Sequence, residues 1–147
     1  MGEHLSGPLP STASEEAGAD TGYAGVEFMD LLAYIYLQHG FPDKAAVLLS
    51  ARDLLAPDDA RALLSLALAQ VRSAKPSKAL QTLERVAMLG AMGPEFHLIR
   101  AQALQALARH PEAASAMRAY VALQSGAGSG AESGAVQPPP AEPLASP

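Results

Sequence analysis

Residues 32–45 read Leu32-Ala33-Tyr34-Ile35-Tyr36-Leu37-Gln38-His39-Gly40-Phe41-Pro42-Asp43-Lys44-Ala45. An apolar run stops at Gly40, Pro42 opens a second run, and Ala33 and Ala45 flank the break. The same frame returns 34 residues on, twice: Ala33, Ala67 and Ala101 share one register, Ala45, Ala79 and Ala113 a second, and Gly40, Ala74 and Ala108 the break itself. Large apolar residues interleave with the small ones at Leu49, Leu83 and Met117. Two further registers are imperfect: Leu32 and Leu66 give way to Arg100, and Tyr36, Gln70 and Leu104 share a position. A fixed period of this length is the mark of a stacked repeat.

The turn signals repeat with it. Pro42, Pro76 and Pro111 each stand at the start of the second run of a pair, where the missing N–H costs no helical hydrogen bond. Asp43 and Ser77 follow two of them and suit a helix start, as a cap or by charge. Pro57-Asp58-Asp59 and Gly90 to Pro94 separate one pair from the next. The pattern predicts six helices, near 27–39, 43–56, 59–73, 77–89, 94–108 and 111–124, arranged as three helix hairpins in an all-α fold.

Working outward, the composition divides. The chain has 147 residues, 31 of them Ala and 21 Leu, both good helix formers, with no Cys, no Trp and seven aromatic residues. Of 24 Gly and Pro, 16 lie in 1–25 and 126–147. Those ends are Ser-, Gly- and Pro-rich and are expected to be disordered tails around a folded unit at 26–125. All ten Lys and Arg fall in 26–125 beside nine Asp and Glu, so that unit is near neutral and the ends carry six acids and no base. Nothing here resembles the clustered basic face of a nucleic-acid binder. No apolar run is long enough for a membrane span, and no basic stretch leads into an apolar one at the N-terminus.

Helix pairs of 34 residues with small residues at positions 8 and 20 resemble the tetratricopeptide repeat (TPR). Met29 stands at that pattern's Trp position, followed by Leu32, Ala33, Tyr36, Gly40, Ala45, Leu49 and Pro57. Repeat two keeps Leu63, Leu66, Ala67, Ala79 and Leu83; repeat three keeps His97, Ala101, Leu104, Ala113 and Met117. The resemblance implies an α–α superhelix whose first helices line a concave face. Positions projecting there would be Glu27, Asp30, Tyr34, Leu37 and Gln38, then Arg61, Leu64, Leu68, Val71 and Arg72, then Glu95, Leu98, Gln102, Gln105 and Ala106. The expected partner-binding set is Tyr34, Leu37, Arg61, Leu64, Leu68, Val71, Arg72, Leu98 and Gln102. Its apolar middle, rimmed by Arg61, Arg72, Asp30 and Glu95, suits a bound segment of another protein. The competing reading is that a short, curved array buries some of these side chains itself. The last helix meets Gly126 without a polar cap, and little covers the first; both open ends favour a complex or a dimer.

Catalytic and metal chemistry are not expected. His4, His39, His97 and His110 pair with no Asp, Glu or His at metal-helix spacing. Gly126, Gly128 and Gly130 read as linker rather than a phosphate loop, and Asp58-Asp59 reads as a helix start. Met29, Met88 and Met117 fall at core registers. The expectation is no enzyme, no cofactor and no small-molecule substrate.

The chain also resembles the small TPR chaperones of bacterial type III secretion systems, closest to the YscY/SctY class. The likeness covers about 26–124. It rests on Phe28…Leu32-Ala33-Tyr34…Leu37-Gln38-His39-Gly40…Ala45-Ala46-Val47-Leu48-Leu49, on Leu54-Leu55-Ala56-Pro57, on Arg100-Ala101-Gln102 and on Ala119-Tyr120-Val121-Ala122-Leu123. It implies a cytoplasmic chaperone of a Gram-negative bacterium. The chaperone would bind a small secreted partner of the YscX/SctX class and deliver it to the export gate at the inner membrane, with the gate's cytoplasmic domain as a second partner. Three neighbouring readings stay open: a translocator chaperone, a needle-subunit chaperone, and a generic TPR adaptor.

Overall fold

The computed structural model describes residues 11–132. They form α1 (Ser11–Gln38), α2 (Pro42–Leu55), α3 (Ala60–Arg72), α4 (Pro76–Met88), α5 (Pro94–Ala106) and α6 (His110–Glu132), with no strand among the described residues. The protein is all-α. Each helix packs on the next, and α3 also touches α1 and α5, so these three odd-numbered helices share one face.

The alanine registers are core. Ala33, Ala67 and Ala101, and Ala45, Ala79 and Ala113, are all buried. Side chains this small set how closely helix surfaces approach. One cluster joins Ala33, Leu49, Leu63, Leu83 and Val86 to Phe96, Ile99 and Ala103 of α5. A smaller one joins Ala101 and Leu104 to Ala113 and Ala116 of α6.

The register Gly40, Ala74 and Ala108 is small for another reason. All three residues have positive φ, at 78°, 59° and 59°. Each donates its N–H three residues back, to the carbonyls of Leu37, Val71 and Gln105, while the next residue reaches five back. Phe41 donates to Tyr36 at 2.8 Å, Lys75 to Gln70 at 2.8 Å and Arg109 to Leu104 at 2.9 Å. This is a left-handed helix stop made three times. Gly90 (φ 78°) makes a fourth, with Ala91 donating to Val86. A Cβ on Gly40 would meet nothing within 4 Å, so backbone conformation and not crowding selects the small residue there. Alanine is strained in this conformation by about 1–2 kcal/mol. Ala74→Gly and Ala108→Gly are therefore expected to stabilise the fold by about 0.5–1 kcal/mol each in urea denaturation, after the flexibility glycine adds to the unfolded chain. Gly40→Ala is expected to have the opposite sign.

Helices α1 and α6 run past the packed region, from Ser11 and to Glu132, into the segments expected to be tails. Lengthening an anchored helix needs no new nucleus, which lets the backbone continue past the packed region. Residues 1–10 and 133–147 lie outside the described residues. Asp43 and Ser77 do not cap their helices, whose caps are Phe41 and Lys75 without a side-chain cap bond, but Asp43 lies in the first turn of α2, where its charge suits the helix start. Met88 is exposed and Met117 is 39% exposed, because nothing packs beyond them. Asp59, by contrast, caps α3, its Oδ1 accepting from the N–H groups of Arg61 and Ala62.

No described helix is long and apolar enough to cross a membrane.

Candidate partner-binding face

Helices α1, α3 and α5 lie side by side, and two adjoining cavities open between them. The first, about 270 Å³, lies between α1 and α3 and is lined by Tyr34, Leu37, Arg61 and Ser65 over Ala33 and Leu49. The second, about 390 Å³, lies between α3 and α5 and is lined by Arg61, Leu64, Ser65, Leu68 and Arg72 with Glu95, Leu98 and Gln102. Arg61 and Ser65 belong to both. Positions 61, 65, 68 and 72 are the i, i+4, i+7, i+11 stripe of α3, which is why one helix supplies most of the floor and rim.

Eight of the nine expected residues line these cavities; Val71 does not. Val71 is half-buried and leans on the core, as do Leu37, Leu64 and Leu68. Part of this apolar face is therefore internal packing. Tyr34 stands clear of it, 60% exposed.

Asp30, expected at the rim, faces inward. Arg52 of α2 is only 5% exposed and holds it by two bonds, Nε to Oδ1 at 2.8 Å and Nη2 to Oδ2 at 3.1 Å. The same guanidinium donates Nη2 to Asp59 Oδ2 at 3.0 Å and Nη1 to the Ala56 carbonyl at 2.8 Å. One buried cation thus ties α1, the end of α2 and the cap of α3 together beneath the first cavity. The bond to Asp30 holds Arg52 more firmly protonated than a free arginine. The Ala62 N–H, with help from Arg52, holds the Asp59 carboxyl below the usual carboxylate range. Nothing in the sequence pattern marks Arg52: its register partners are Val86 and Tyr120.

With Asp30 and Asp59 engaged, the rim keeps Arg61, Arg72 and Glu95. All three are exposed, and none forms an ion pair among the described residues. Further from this face, Arg85 pairs bidentately with Asp53 and so bridges α4 to α2. His110 contacts the side-chain oxygen of Gln105 at 3.1 Å. His97 is half-buried against the ring of Phe96, its Nδ1 without a hydrogen-bond partner. No group of three His, Asp or Glu among the described residues is placed to hold a metal ion.

No protein-family model matches the chain, and no curated protein matches it.

Proposed function

We propose that this protein is a three-hairpin, TPR-like binding module that takes up an apolar segment of another protein along α1, α3 and α5. The observation that carries the proposal is the pair of adjoining cavities with an apolar floor and a rim holding two arginines that form no ion pair among the described residues. The 34-residue register, which recurs as buried alanines and as the same helix stop, supports the TPR-like reading. Burial of apolar area at roughly 25 cal/mol per Å² would drive binding, while Arg61, Arg72 and Glu95 would set register and rate.

From the resemblance of residues 26–124 we further propose the role of a cytoplasmic type III secretion chaperone. It would keep a small YscX/SctX-like export protein soluble and deliver it to the export gate. The translocator and needle-subunit chaperones and a generic adaptor are the alternatives, and each uses the same face without catalysis. Co-expression with the small open reading frames that flank the gene tests this. A stable complex with a small export protein supports it, and a folded chain that copurifies with none of them defeats it.

Tyr34→Ala is expected to weaken that complex about 5–30-fold, or 1–2 kcal/mol, with helicity and melting temperature unchanged. Leu64→Glu and Leu68→Glu should also abolish binding, but their contact with the core adds a stability loss of about 1–2 kcal/mol. Tyr34 is the cleaner probe, read by titration calorimetry beside circular dichroism.

A further inference from the structure

We propose that the two ends of this helical array are complementary, and that a second copy of the chain docks on the first head-to-tail, α1 of one copy in the α5–α6 groove of the next. Helix α5 shows what such docking requires. One of its faces, Phe96, Ile99 and Ala103, is buried in the cluster that includes Leu83 and Val86 of α4. Its other face, Ala101 and Leu104, packs on α6. At the equivalent positions α3 carries the smaller Ala62, Ser65 and Ala69, of which Ala69 is buried.

The positions one or two periods earlier on α1 are Phe28, Leu31 and Ile35, in register with Phe96, Ile99 and Ala103. They are as apolar as their counterparts, yet they are 62%, 56% and 42% exposed, with no helix pair before them among the described residues. A helix carrying the apolar face that α5 uses for docking on the preceding pair therefore stands at one end with that face bare.

The other end offers the matching acceptor. Leu83 is fully buried beside α5; its counterpart on α6 is the exposed Met117. A groove of about 570 Å³ runs between α5 and α6, lined by Ala106, Ala113, Ala114 and Met117. It continues past Arg118 to Val121. This is the surface on which a fourth pair would begin. The residues buried between the second and third pairs thus recur, unburied, as donor and acceptor on opposite ends, so the occupant they fit is this chain itself. The contact is heterologous: each copy uses both ends, and growth continues unless the ring closes.

The test uses charge at each end of the full-length chain, at positions whose exposure spares the fold. Sedimentation of the wild-type protein is expected to show a mass that rises with concentration through the micromolar range and above. Leu31→Glu, which spoils the α1 face, and Met117→Glu, which spoils the groove, are each expected to sediment as single chains. Mixed in equal amounts they are expected to form a dimer and stop, because one good donor and one good acceptor remain. Ile35→Glu with Val121→Glu should repeat the result, and circular dichroism should show each variant as helical as wild type. A wild-type chain that stays monomeric at all concentrations overturns the proposal and leaves these ends to a different protein. Variants that still self-associate alone overturn it in favour of a symmetric contact. None of these positions lines the α1–α3–α5 cavities, so the outcome is independent of partner binding there.

Discussion

Arg52→Met lowers the unfolding free energy by about 2–3 kcal/mol, which for a domain this size moves the melting temperature down by roughly 10–20 °C. The side chain is buried and makes four hydrogen bonds, two to Asp30 and one each to Asp59 and the Ala56 carbonyl. Met fills a similar volume, so the loss is electrostatic rather than a cavity. Breaking a fully buried pair costs about 3–5 kcal/mol, but the Asp30 and Asp59 side chains are 40% and 43% exposed and regain water. That places the result at the lower end. The two carboxylates are not equally affected. Asp59 keeps its two bonds to the start of α3, whereas Asp30 has no side-chain partner besides Arg52 among the described residues. Adding Asp30→Asn to Arg52→Met should therefore restore about 1 kcal/mol by removing the unpaired charge, and Asp59→Asn should not. Urea melts of the four proteins decide it, and an Arg52→Met change below about 0.5 kcal/mol would sink the argument. Because Asp30 and Asp59 line the α1–α3 cavity, the same substitution should weaken partner binding as well.

Ala67→Leu is the second large effect, a loss of about 1–3 kcal/mol from overpacking. Ala67 is completely buried. It lies on α3, the helix that touches four others, α1, α2, α4 and α5. Three added carbons cannot be accommodated by moving one neighbour, so the strain spreads across the middle of the array. On an exposed helical site the same change gains a little apolar contact and costs nothing: Ala51→Leu on α2, which is exposed, should stay within about 0.5 kcal/mol of wild type. Equal effects at the two sites would mean that the buried alanine registers record composition rather than close packing.

Much of this architecture is legible in the sequence, because helices and their ends are local. Periodicity and the prolines place all six helices within a few residues of their observed bounds over the packed region. The two alanine registers identify the core, since only a stacked repeat keeps small residues in step. The predicted binding residues also come together, because 61, 64, 68 and 72 occupy one face of any helix that includes them. Outside the packed region Gly and Ser content weighs against helix residue by residue, and α1 and α6 nonetheless run on to Ser11 and Glu132.

Other features depend on neighbours distant in the chain. Arg52 sits in an ordinary helical stretch, and only the fold brings Asp30, 22 residues away, against it. Asp30 accordingly turns from a free rim charge into the half-buried anchor of Arg52. Gly40, Ala74 and Ala108 show in sequence only that the position is small; that the cause is a positive φ is a fact of the folded turn. Phe28 and Phe96 share a register and a chemistry, yet one is exposed and the other buried. Burial depends on whether another helix pair lies beyond, and a residue's own pattern carries no record of that.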